Sequence, residues 1–314
     1  MSRRGWVLFA LMGVIWGIPF LLIKVAVEGV SVPVVVFART AIGAAILLPL
    51  ALRGRSAGGS MRAGLVAGLR PYWKPLLAFA TIEMIVPWWL LSDAERHISS
   101  SMAGLVIGAV PVLAVVMSRL FGDREGLSAV RGTGLAVGFA GVAVLVSPEL
   151  GNGEPVAIVE MLLVALCYAT APLIAARWLN EVPALPMTAV CLGFAAVLYT
   201  PAAVVTWPDV RPSGQVLAAL AALAVICTAI AFIVFFALIR EVGATRALVF
   251  TYVNPAVAVT AGVIVLGEPL TTAIVASFVL IIVGSVLATA RPASSDRSGA
   301  KSARQPVSAS VECR

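Results

Sequence analysis

The sequence predicts an all-α integral membrane protein, with ten transmembrane helices arranged as two inverted five-helix repeats. Three observations predict it. The 314 residues are 61% hydrophobic and only 12% charged, whereas a soluble domain is about half apolar and a quarter charged, so lipid must solvate the excess. The apolar residues fall in ten runs, approximately 5–27, 33–52, 74–92, 98–121, 130–147, 155–177, 186–207, 214–239, 245–267 and 271–290, of the roughly 20 residues that a helix needs to cross a bilayer. Short motifs of the first half recur in the second at a nearly constant offset.

The runs are read as helices because transmembrane strands are shorter and alternate polar with apolar residues. The first run follows Ser2-Arg3-Arg4; it is too long for the apolar core of a signal peptide, lacks a clear cleavage box and is read as the first span. Placing the N-terminus in the cytoplasm puts nearly all loop cations inside: Arg3 and Arg4; Arg53, Arg55, Arg62, Arg70 and Lys74; Arg119, Arg124 and Arg131; Arg177; Arg240 and Arg246. The outer loops then hold only Arg96 and Arg211. That asymmetry sets orientation, so the expectation is a multi-pass inner (plasma) membrane protein with both termini cytoplasmic. Residues 291–314, rich in Ser, Ala and Arg, have too little apolar surface to fold and read as a disordered basic cytoplasmic tail.

The halves, 1–150 and 151–290, repeat one another. Pro111 matches Pro255 at an offset of 144, Leu127 matches Leu270 and Gly141 matches Gly284 at 143, and Pro19 and Lys24 match Pro172 and Arg177 at 153. Five spans per half is an odd number, so the second half lies upside down relative to the first. Inverted repeats of this kind recur in secondary transporters, where they provide an inward-open and an outward-open shape.

Several chemistries are excluded. The net charge of +7 sits in loops between apolar runs and not on a soluble basic face, so no nucleic-acid partner is expected. One histidine, His97, and four cysteines without zinc or redox spacing give no metal site and no cofactor. The chain carries no zincin motif, nucleophile elbow or Walker loop, so an enzyme is not expected and transport would run on gradients.

Candidate functional residues are those that do not belong in lipid. Glu83 is the tenth residue of the run 74–92, and a charge at that depth costs about 2.5 kcal/mol or more. It is expected to bind and release a proton, or to sit neutral and hydrogen-bonded to a neighbouring helix. Lys24 and Arg39 are candidates to bind a substrate carboxylate or phosphate; the alternatives are snorkelling for Lys24 and a structural pair with Glu28 for Arg39. Pro19, Pro111, Pro172 and Pro255 each remove a backbone donor and are expected to break or gate their helices. Asn254 and Tyr252, beside one such break, are expected to touch solute. Trp16 and Tyr168 lie inside helices, where they stack on substrate or fill the core. Trp88 and Trp89 are expected in an interfacial aromatic belt, with a gate as the second reading. His97 caps the fourth helix or is solvated. Gly13-x-x-x-Gly17, Gly104-x-x-x-Gly108 and Gly134-x-x-x-Gly138 permit close helix contact.

The pattern Trp16-Gly17, Phe20, Lys24, Pro33 and Arg39 resembles the start of an EamA domain. The prolines of runs four and nine, followed by Gly122-Asp123 and by Gly267-Glu268-Pro269-Leu270, resemble its end. The resemblance covers roughly residues 5–290, and Gly122-Asp123-Arg124-Glu125 departs from the simpler Gly-Glu-Pro of the pattern in a loop expected to be exposed. The family, part of the drug/metabolite transporter superfamily, implies ten spans in two inverted halves. It further implies proton-coupled or exchange-type movement of metabolites, often export of amino acids or related compounds. The implied central cavity is lined by helices 1, 3, 4, 6, 8 and 9. The partners expected are a small-molecule substrate, membrane lipid and protons, in a monomer or homodimer. An uptake carrier or exchanger of the same fold, or a non-transporting scaffold or receptor-like protein, stands as the alternative.

Overall fold

Lipid offers no partner to a backbone N–H or C=O, so an apolar chain within it satisfies its backbone by coiling into helices. The computed structural model of the protein describes residues 2–53, 68–122, 128–152, 154–243 and 247–290, and among them there are helices and no strands. The tail at 291–314 and the departing loop residues Asp123, Arg124 and Glu125 lie outside the described residues.

In chain order the helices are α1 (Arg3–Gly17), α2 (Pro19–Val27), α3 (Val32–Arg53), α4 (Trp73–Ala80), α5 (Val86–Ala94), α6 (Ser100–Gly108), α7 (Val110–Leu120), α8 (Ala129–Asn152), α9 (Pro155–Trp178), α10 (Ala184–Val205), α11 (Gly214–Ala224), α12 (Ala231–Val242), α13 (Asn254–Leu266) and α14 (Thr272–Ala288). Two π turns, Thr81–Ile85 and Val225–Ile230, join α4 to α5 and α11 to α12. A 3₁₀ turn, Leu248–Tyr252, leads into α13.

Among the described residues, taken as continuous rods, eight helices are long and apolar enough to cross a bilayer, and the pair α6–α7, bent by 40°, makes nine. The tenth apolar run is helical only over the 17 residues of α14. The Gly267-Glu268-Pro269-Leu270 stretch ahead of it turns instead of coiling: Gly267 takes φ +67, and Pro269 brings no N–H.

Glycines set the closest packing. Gly13 and Gly17 on α1 meet Val253 and Val257, and Gly104 and Gly108 on α6 meet Ala258 and Pro255. Two of the three Gly-x-x-x-Gly pairs therefore press on the same segment around α13. The third, Gly134 and Gly138 on α8, lies against Ala288 and Gly284 of α14. A Cβ at Gly284 would meet the α8 backbone at Gly138, so this contact admits no side chain.

The principal helix contacts are α8 with α14, α3 with α10, α6 with α13, α5 with α9, and α1–α2 with α11–α12. Exchanging the first five runs for the last five returns this same set.

The two ends of the molecule pack unequally. At the end that carries Lys24, every residue of α6 except Ile107 is buried. In α7, which continues the same run toward the end that carries Ser2, only Val112 is buried.

Candidate functional site

Three of the four singled-out prolines begin a helix after a break, where a missing N–H is harmless. Pro19 follows Ile18, Pro111 follows the Ala109 bend, and Pro255 opens α13. Pro172 does not: it lies inside the continuous α9. The expected break there is corrected, because one lost N–H frees only one carbonyl and the remaining ladder holds.

A polar layer crosses the middle of the helix bundle. Glu83 lies in the first π turn and is half-buried. Among the described residues no hydrogen bond or ion pair reaches its carboxyl group. Cys167 and Tyr168 on α9 and Cys191 on α10 lie within electrostatic reach of it. Tyr168 is also in reach of Arg39 on α3, and the Trp88 indole faces it.

Arg39 is buried, at 8% exposure. Its Nε donates to Thr228 Oγ1 at 2.9 Å, across 189 residues of sequence, and its Cζ sits 3.7 Å from the Trp88 ring centroid. Thr228 belongs to the second π turn and its hydroxyl donates to the Leu223 carbonyl at 2.8 Å. The Arg39–Glu28 pair therefore does not form. A desolvated cation–π contact is worth about 2 kcal/mol and, with the hydrogen bond, gives the guanidinium its local partners. Trp88 is buried beneath Arg39 and is no interfacial belt residue; Trp89 stacks on Tyr199 at 5.7 Å. The Tyr199 hydroxyl donates to the Ile85 carbonyl at 2.8 Å. Each π turn thus has a side chain tending a backbone carbonyl that the irregular ladder involves, and such turns are frequent at functional sites.

The remaining candidates make other contacts. Trp16 packs in an aromatic cluster with Phe235 at 5.1 Å, Phe250 at 5.4 Å and Phe232 at 5.9 Å. Tyr252 pairs with Thr289 Oγ1 at 2.7 Å. Asn254 is buried with its Oδ1 unpartnered. Lys24 does not snorkel: its Nζ donates to the carbonyls of Glu95 at 2.6 Å and Ile98 at 2.9 Å, clipping α2 to the α5–α6 connection. His97 does not cap α6. Ser99 does, accepting from the Met102 N–H, while His97 Nδ1 lies 3.4 Å from Glu154.

Two acids escaped the sequence reading. Glu268, in the turn before α14, accepts from the Ser100 N–H at 2.7 Å and from the N–H and hydroxyl of Ser101, so it caps α6 from the other half of the chain. A carboxylate at a helix N-terminus is worth up to about 2 kcal/mol. Glu95 follows α5 and is wholly buried, with both carboxyl oxygens unpartnered. In sequence it stands among Asp93 and Arg96 and reads as a solvated loop residue.

The ionisable groups form a line. Glu83 is in reach of Tyr168, Tyr168 of Arg39, Arg39 of Glu95, and Glu95 of Lys24 and Glu268. Such a line can bind an anion at Arg39, a cation at Glu83, or pass protons between carboxyl groups. A cavity of about 240 Å³ lined by Lys24, Val27, Glu28, Glu95 and Arg96 opens at its end.

Comparison with known proteins gives a consistent answer. The profile described as the EamA-like transporter family matches residues 3–147 and again 156–290. An uncharacterized transporter of Archaeoglobus fulgidus is 25% identical over 288 residues, 90% of this chain and 97% of that protein. The uncharacterized inner membrane transporter YedA of Escherichia coli K12 is 29% identical over 301 residues, 91% of this chain and 92% of that protein. A solved crystal structure superposes with a TM-score of 0.61 at 21% identity, covering 92% of this chain and 98% of that one, a likeness of fold alone.

Proposed function

The chain belongs to the EamA-like transporter family, and from that premise we propose that it is a secondary carrier of small metabolites, amino acids or related compounds, that works by alternating access. The carrier is not an enzyme. It exports its substrate across the inner membrane as a monomer or homodimer, with ten spans, two inverted halves and both termini in the cytoplasm. The self-mapping helix contacts and the two π turns at corresponding places support the inverted halves. The unequal burial of α6 and α7 supports a conformation closed at the Lys24 end and looser at the Ser2 end, as alternating access requires.

The observation that carries the reading is that an unpartnered Glu83 and a held Arg39 both lie within electrostatic reach of Tyr168 in the bundle. An ionisable group at this depth is functional by default. Arg39 offers a substrate carboxylate its free guanidinium N–H groups, while Glu83 takes a proton when the carrier faces one side and gives it up when it faces the other. The test is proton flux in proteoliposomes with a pH-sensitive dye inside, on addition of single amino acids and related metabolites. Substrate-driven flux in wild type that disappears in Glu83→Gln is the expected result. Solute movement without proton flux replaces coupling by exchange, and no movement of any solute sinks the carrier reading.

A further inference from the structure

A buried carboxyl group with no partner is either neutral or badly placed. Glu95 meets that condition more strictly than Glu83, because it is wholly buried and neither oxygen finds a hydrogen bond. The nearest cation, Lys24, spends two of its three donors on the carbonyls of Glu95 and Ile98. No ion pair joins the Lys24 ammonium to the Glu95 carboxylate among the described residues. A lysine would not choose carbonyls over an adjacent ionised carboxylate, since the charged acceptor makes the stronger bond. The geometry is that of a neutral acid.

We propose that Glu95 is a second proton-binding site, loaded in this conformation, whose proton leaves when the Lys24 end of the molecule opens. The groups facing it are Lys24 from α2, Arg39 from α3 and Glu268 from the turn before α14, with Glu28 and Arg96 lining the adjoining cavity. Burial raises the Glu95 pKa well above the usual carboxylate range, and Glu268 adds to this. Lys24 and Arg39 pull it down, and the Lys24 backbone N–H leans the same way without hydrogen-bond geometry. On opening, water enters from the cavity. The carboxyl O–H bond breaks, the proton passes to water, and the Lys24 ammonium turns from the carbonyls to the new carboxylate. The latch that holds α2 to the α5–α6 connection is thereby released. Because neutral Glu95 belongs to the closed end, rising pH favours opening.

The opening half of the proposal rests on the alternating-access reading; the protonation half does not. The experiment uses the full chain in nanodiscs without substrate, so that a missing transport activity leaves both readouts intact. Infrared spectra in a Glu83→Gln background, which removes the other unpartnered acid, are expected to show the carbonyl stretch of a protonated, free carboxyl at neutral pH, lost when Glu95→Gln is added. Thiol labelling of Ser100→Cys, with the native cysteines replaced and each rate divided by that of a free thiol at the same pH, is expected to quicken with pH by up to about tenfold per unit, the limit for one proton. In Glu95→Gln it stays slow and flat. Should Glu95→Gln misfold, Lys24→Gln keeps the carboxyl and moves loss of the band to higher pH. A band that survives the added Glu95→Gln, corrected labelling that ignores pH without it, or corrected labelling that still follows pH in Glu95→Gln overturns the proposal.

Discussion

The π turn at Thr81–Ile85 and the π turn at Val225–Ile230 begin 144 residues apart, the offset that also relates Pro111 to Pro255. The first presents Glu83, whose carboxyl group has no partner among the described residues. The second presents Cys227 at the corresponding position and, beside it, Thr228, which accepts from Arg39 and donates to Leu223. Duplication has kept the backbone irregularity and divided the chemistry. One turn carries the unpartnered acid, and the other holds the Arg39 guanidinium in place. Under the proposed alternating access, two similar hinges serve the change of shape while one proton site at the centre suffices.

Replacing the free group should have the largest effect on that comparison. Glu83→Gln keeps the shape and removes the titration, so substrate-driven proton flux should fall to the background of empty vesicles. Fold and detergent stability should hold, since no hydrogen bond is lost. Residual flux above a few per cent of wild type would move the coupling proton to another group.

Loosening the fixed group comes next. Thr228→Val is nearly isosteric and takes both the acceptor from Arg39 and the donor to Leu223. An unsatisfied buried donor costs about 1–3 kcal/mol, and more on a charged group, so the thermal unfolding midpoint should drop by several degrees, with weaker substrate affinity as Arg39 loses its aim. Unchanged stability would mean that Trp88 alone, 3.7 Å from the guanidinium, is enough.

This division was only half legible in the sequence. Glu83 announces itself, because a carboxylate in the middle of an apolar run conflicts with its solvent. The π turns do not, because hydropathy reports which residues are apolar and carries nothing about whether an N–H bonds four or five residues back. Thr228 as partner of Arg39 was out of reach as well, since 189 residues separate them and no local pattern spans that distance. Glu95 was hidden by its charged neighbours. Pro172 misled because it matches Pro19 in sequence, yet Pro19 begins α2 after Ile18 whereas Pro172 rides inside α9. The apolar runs read as helices because lipid leaves the chain no other choice, but eight or nine of them, and not ten, are long enough to span among the described residues.

A smaller effect is expected where a side chain only tends the backbone. Tyr199→Phe removes the hydroxyl that donates to the Ile85 carbonyl at 2.8 Å and keeps the ring stacked on Trp89. The loss should be about 0.5–1.5 kcal/mol of stability, read in chemical denaturation, with proton flux lowered but still substrate-driven. Complete loss of flux would make the first π turn depend on this bond for the position of Glu83.

The smallest effect should come from the corresponding position of the second turn. Cys227 is buried at 2% exposure and in electrostatic reach of Arg39, yet no hydrogen bond ties it to that group. Cys227→Ala removes one sulfur from a packed site and should lower stability by about 1 kcal/mol, leaving substrate-driven proton flux within about twofold of wild type. If flux collapses in Cys227→Ala as it does in Glu83→Gln, both turns take part in proton binding and the division of chemistry between them fails.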